Sequence, residues 1–350
     1  MEDYLEAQYK VNFIVKNEKF ALPSDSGFFI TINSEHASGT YSVVRTGQNF
    51  VLTAADVPSF AEAVYQFCSL GSIDEFEDFS GKIDFESEKF GCKYVWGDEF
   101  TTNSLDTAKW TFGNNMSARP NLLLAETEDV LNVKGGTLNM SAIKTGKTTT
   151  INDTTYNVYK TTRAINTKGT MNFRYGYVEM RAMMPYGDKV WPAFWASSNC
   201  SLTKPSNGYS TEVDIAEVIG SSNVVGSHIH KWDSTGRIGS SDSIAGINAM
   251  KHEFDSQSAA QDYHTYGFKW TDSSMTFYVD DIQFAEVTAE HFKNSKLDID
   301  DFVDSMYLIL NNHLSSKDTS TPTEYKGDGT KFVIDYVRLY QDASGSIAHN

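Results

Sequence analysis

Three carboxylates crowd into Thr211-Glu212-Val213-Asp214-Ile215-Ala216-Glu217-Val218-Ile219-Gly220. Spacing alone carries little weight, because a chain with 46 Asp plus Glu among 350 residues yields about one such triple by chance. The setting carries more. The acids interrupt a β-branched run of Val213, Ile215, Val218 and Ile219, which reads as a strand. Residues two apart share a face of a strand, so Glu212 and Asp214 point together while Val213 and Ile215 point to the core. Glu217 falls on the wrong face unless one extra residue, a β-bulge around Ile215-Ala216, turns it back. Three like charges on one surface repel and raise each other's pKa. Retaining glycoside hydrolysis asks for such a set, with an ionised nucleophile and a protonated acid about 5–5.5 Å apart. The competing readings are a solvated acidic strand or a calcium site.

The elements that must position these acids read as many short antiparallel strands. Tyr175–Arg181, Met275–Val279 and Phe332–Tyr340 are strand-like, and Asp280-Asp281 followed by Ile282-Gln283-Phe284 signals a two-residue hairpin. Such punctuation predicts an all-β sandwich or jelly roll. All six tryptophans lie after residue 95. The acidic run Asp74–Phe79 followed by Ser80-Gly81 reads as a linker or solvated edge, which places a boundary near residue 90. The expected organisation is a small N-terminal β-rich accessory or flanking module over 1–90 and a catalytic domain over 91–343. Within the former, alternation at Val11, Phe13 and Val15, the run Phe28–Ile32, the run Tyr41–Val44 and a helix over Pro58–Leu70 are expected.

Read in order, further motifs resemble glycoside hydrolase family 16, the laminarinase, lichenase and agarase group. They are Trp96-Gly97-Asp98-Glu99-Phe100, Leu105–Trp110, Tyr175–Arg181, Trp191-Pro192-Ala193-Phe194-Trp195, the Glu212–Glu217 segment and the closing strand Ile334–Tyr340. The resemblance implies a β-jelly-roll with a concave cleft that hydrolyses a β-linked polysaccharide with retention. By matching position, Glu212 is the nucleophile, Glu217 the general acid/base, and Asp214 tunes both. It also implies substrate contacts from Trp191 and Trp195, which share a strand face, and from Arg163, His230, Trp232 and the late asparagine Asn311. Core packing for the tryptophans and a surface salt bridge for Arg163 are the plainer alternatives. His228 and His230, two apart, invite a metal reading, but no third ligand is evident in sequence. No cofactor is expected for catalysis, while Glu99 and Asp335 resemble positions near a structural calcium. Two departures bear on substrate: Pro205–Ser210 lacks the tryptophan that laminarinases place before the nucleophile, and Asn311-Asn312-His313-Leu314 replaces a glycine-rich run.

Composition narrows the partners. The charge is 29 minus 46, or −17, which opposes nucleic acid, whose binding needs Lys and Arg against phosphate. A neutral β-1,3-linked or mixed-linkage glucan meets no such barrier. An agarase-like galactanase and a non-catalytic glucan-binding protein are the alternatives, and a transglycosylase differs only in what attacks the intermediate. No apolar run reaches the roughly 18 residues that span a bilayer, and a monomer is expected. The resemblance implies an extracellular or cell-surface location. The start Met1-Glu2-Asp3-Tyr4 lacks signal-peptide character, which leaves a removed leader or another route as readings. Of Cys68, Cys92 and Cys200, the first two are the pair to test for a disulfide.

Overall fold

The computed structural model describes residues 88–101, 104–113, 120–198, 208–243, 250–255, 259, 262–293, 295–314, 326–329 and 331–349. Of the N-terminal stretch it describes 13–14, 28–32, 40–47, 49–54, 59–60, 63, 66–67 and 76–82. That stretch forms a five-stranded sheet of its own from Phe13–Ile14, Phe28–Ile32, Thr40–Thr46, Asn49–Ala54 and Phe79–Lys82. The described residues inside the expected 58–70 helix are helical. Ser59, Ala63 and Phe67, spaced by four, are fully enclosed, and the Phe67 ring meets Phe50 of the sheet.

From residue 88 onward two larger sheets face each other. The strands used below are β1 (Cys92–Asp98), β2 (Gly176–Met183), β3 (Val190–Ser198), β4 (Ser210–Glu217), β5 (Val224–Asp233), β6 (Gly236–Ser240), β7 (Met306–Leu314) and β8 (Lys331–Gln341). One sheet runs through β2 and β8, with β1 paired to β8; the other has the order β6-β5-β4-β3-β7 through its middle. Alternation builds the sandwich core. Val178 and Met180 of β2 and Val337 and Leu339 of β8 pack against Phe194, Ala196, Val213, Ile229, Leu308 and Leu310 of the opposing sheet. Burying aliphatic and aromatic faces of two sheets against each other is what holds such layers together.

Two details differ from expectation. The strand closing on Tyr340 is not the last, since Ser346–His349 follows it and pairs with Met171–Arg174. Residues Glu88–Lys89 form a hairpin with β1, so the larger sheet begins before residue 90. The Asp280-Asp281 turn is as expected: both residues have positive φ, 51° and 62°, and Val279 pairs with Ile282. That is the geometry a two-residue hairpin requires. Cys92 is a buried free thiol; Cys68 and Cys200 lie outside the described residues. No helix among the described residues is long and apolar enough to cross a membrane.

Candidate active site

The site is made by a register slip in β4. Against β5, Asp214 pairs with His228 and Glu217 with Gly226, three steps on one strand against two on the other. Against β3, Trp195 pairs with Asp214 and Phe194 with Ala216, so Ile215 is the extra residue. The bulge thus lies where the acid spacing demands. Val213, Ile215 and Ala216 face the core, while Glu212, Asp214 and Glu217 share the opposite face. Ser227 Oγ, itself buried, donates to the Ile215 carbonyl at 2.7 Å. That bond answers part of the backbone demand a bulge creates.

Neighbouring strands supply what touches the acids. Trp191 Nε1 donates to Glu217 Oε1 at 2.7 Å, and His228 Nδ1 lies 2.8 Å from Glu217 Oε2. His230 Nε2 is 3.3 Å from Asp214 Oδ2, while its Nδ1 is buried without a partner. Trp232 Nε1 sits near enough to Glu212 to favour its charged form, yet makes no hydrogen bond of good geometry. Trp195 Nε1 donates to Asn311 Oδ1 at 2.8 Å, and Asn311 Nδ2 donates to the Trp191 carbonyl at 3.2 Å. Asn311 therefore spends both ends of its amide holding the two tryptophans.

Burial and the charge of Asp214 push Glu212 up to about 8. Asp214, buried, is pushed well above the carboxylate range by that burial and then by Glu217. The trio cannot ionise together. A proton kept on Asp214 removes its share of that push and so eases Glu212 toward its ionised form. Burial lowers His230, which keeps that imidazole neutral.

Polar atoms of Glu212, Asp214 and His230 lie within 4.8 Å of one another, as do those of Asp214, Glu217 and His228. The third neighbour that sequence did not reveal beside the histidines is thus a carboxylate in each case, and proximity alone assigns no metal. At the expected calcium position the residues do not suit a cation. Arg338 makes two bonds to Glu99, at 2.9 and 2.8 Å, and Arg181 pairs with Asp335 at 2.5 Å, so guanidinium groups already supply the positive charge. Arg163 ion-pairs with Glu126 at 3.0 Å, the plainer of its two readings. His228 and Ser227, prominent here, carried no assigned role in the sequence.

Residues 95–342 match the family described as Beta-porphyranase A-D, GH16 domain. The chain belongs to glycoside hydrolase family 16. Among relatives of this family 16 chain, it is 28% identical over 291 residues to Glucan endo-1,3-beta-glucosidase A1 of Niallia circulans, covering 77% of this chain and 41% of that protein. The chain spans about two fifths of that relative's length, and 30% and 34% of two others. Its fold matches a structure reported for endo-acting O-glycanases of human gut bacteria that initiate mucin breakdown, with TM-score 0.55 and 25% identity over 74% of this chain and 94% of that one. It also matches laminarinase from Flavobacterium sp. UMI-01, with TM-score 0.53 and 25% identity over 71% and 100%. These jelly-roll relatives agree with the all-β sandwich expected from sequence.

Proposed function

We propose that this chain is a retaining endo-β-glycanase acting on a neutral β-1,3-linked or mixed-linkage glucan. The observation that carries the reading is the bulge that sets Glu212, Asp214 and Glu217 on one face of β4. Glu212 is the nucleophile. Its carboxylate oxygen bonds to the anomeric carbon as the glycosidic C–O bond breaks and Glu217 gives its proton to the leaving oxygen. Water then attacks the same carbon, passes a proton to Glu217, and releases Glu212. Two inversions return the starting configuration. Trp191, Trp195, His230 and Trp232 lie on the face a sugar chain would occupy, and the half-buried rings of the three tryptophans suit stacking. The face is rich in carboxylates, which favours an uncharged chain. No cofactor enters this chemistry, and a monomeric, exported protein fits a polymer substrate.

A second reading has its own support: the matching family is described by porphyranases, which favours a galactan. Two measurements separate the readings. Laminarin, lichenin, agarose and porphyran are compared by reducing-end release, with laminarin or lichenin expected to be cleaved fastest. Proton NMR of early products should show the β anomer first; the α anomer first would sink the retaining mechanism.

A further inference from the structure

Glu217 is gripped at both oxygens, and the grip on the second depends on an absence. Gly226 precedes His228 by two residues on β5, shares its face, and pairs with Glu217. A β-carbon at Gly226 would lie 3.1 Å from His228 Cε1, so the imidazole occupies the space a side chain would have taken. Lying over that position, its Nδ1 reaches Glu217 Oε2 at 2.8 Å. On the far side Nε2 is 3.7 Å from Asp242 Oδ1, and Asp242 is half-exposed and accepts from Ser240 Oγ at 2.9 Å. A chain of carboxyl, imidazole and carboxylate therefore runs from the reacting face to solvent.

The groups facing His228 are few and mostly negative. Asp214 and Glu217 come from β4 and Asp242 from the turn Ser241–Ser243. Arg237 of β6 sits 3.7 Å from Asp242. His230 stacks parallel to the His228 ring, with centroids 5.9 Å apart. With Asp214 holding its proton, Glu217 and Asp242 still face one guanidinium and one neutral imidazole.

We propose that Glu217 and His228 work as one proton-holding pair, with His228 the positioning residue that keeps a proton available to the donor carboxyl as pH rises. The inference rests on the acid/base role proposed above for Glu217. The pair carries one proton. It goes to the leaving oxygen as the glycosidic bond breaks, leaving a carboxylate beside a neutral imidazole. The attacking water returns one as the bond to Glu212 breaks. Burial by itself would lower His228, but the hydrogen bond and charge of Glu217, with Asp214 and Asp242, outweigh it and raise it. Proton loss on the alkaline side then follows the histidine.

The test uses the full chain. His228→Asn keeps an amide near the Nδ1 position but holds no proton. On polymer, the alkaline limb of its kcat/KM profile should move down by about one pH unit, the scale of one neighbouring charge. On an aryl β-glycoside with a good leaving group, whose departure needs no proton, the first-step rate should stay within about twofold of wild type. Asp242→Asn, which does not touch Glu217, should move the limb the same way by less, and it decides the matter if His228→Asn does not fold. Limbs that coincide with wild type overturn the pairing. Glu217→Ala keeps the two inferences apart: near-normal polymer activity in that variant sinks the role of Glu217 itself. A dead Glu217→Ala beside unmoved limbs sinks only the pair.

Discussion

Glu212 and Glu217 are the same residue type five positions apart, and their surroundings differ in keeping with the different work proposed for them. Glu217 has a hydrogen-bond partner on each oxygen, which suits a group that must accept and return a proton. Glu212 stands beside a buried acid and is pushed up to about 8. That has a cost in stability. Between the ordinary glutamate range and about 8, the folded chain holds a proton on this residue that the unfolded chain has released. The native state then binds more protons, so stability falls as pH rises through that window. Glu212→Gln removes this contribution. Its melting temperature should fall less between pH 5 and pH 8 than that of wild type; parallel curves would contradict the assignment. Chemical rescue separates the roles further. Glu217→Ala should lose about 10²–10⁴-fold on polymer, yet turn over an activated aryl β-glycoside faster with azide and give a β-glycosyl azide. Glu212→Ala should form the β-azide only from an α-glycosyl fluoride. Exchange of these patterns would reverse the two roles.

At the scale of elements, the device is the bulge, and the residue that steadies it is Ser227. Its hydroxyl bonds the Ile215 carbonyl in a buried setting. Ser227→Ala should cost about 1–3 kcal/mol, the range for a buried group deprived of its partner. Because the bulge aims Glu217, kcat should fall as well. Chemical denaturation and kinetics on the same sample check both, and an unchanged midpoint with unchanged kcat would remove Ser227 from the account. The bulge itself was legible in the sequence, because five is the wrong offset for a shared strand face and the β-branched neighbours favour a strand. The Asp280-Asp281 hairpin was legible for the same local reason. What could not be read were contacts set by pairing between distant segments. Nothing local says that His228, rather than His230, meets Glu217, since that depends on how many residues the bulge consumes. Likewise Arg338 lies 239 residues from Glu99 and Arg181 lies 154 from Asp335, so two guanidinium partners were invisible where a calcium was expected.

At the scale of the whole molecule, the question is where the larger sandwich begins. Every motif of the family lies after residue 90, yet the structure reaches back across that line. Lys89 Nζ lies 2.8 Å from the carboxylate of Glu179, whose side chain is fully enclosed on β2, and 2.8 Å from Asp281. Tyr177 and Tyr340 donate the remaining bonds to Glu179, at 3.1 and 3.3 Å. Phe90 packs on Tyr177 and Tyr278 with ring centroids 4.8 and 4.5 Å away. A chain cut to begin at Gly91 would keep the buried Glu179 and discard its cation, and breaking a buried pair from one side costs about 3–5 kcal/mol. A chain beginning at Ile83 keeps the hairpin of Glu88–Lys89 with β1 and should fold and cleave soluble substrate. The chain beginning at Gly91 should melt well below it. The charge can be separated from the hairpin in the intact protein. Lys89→Met should destabilise strongly, and adding Glu179→Gln to it should recover a large part of the loss, because a neutral amide needs no ammonium partner. If the double variant is no more stable than Lys89→Met alone, the ion pair is not what ties this segment to the sheet. If the chain beginning at Gly91 melts with the one beginning at Ile83, the sandwich starts where the motifs do.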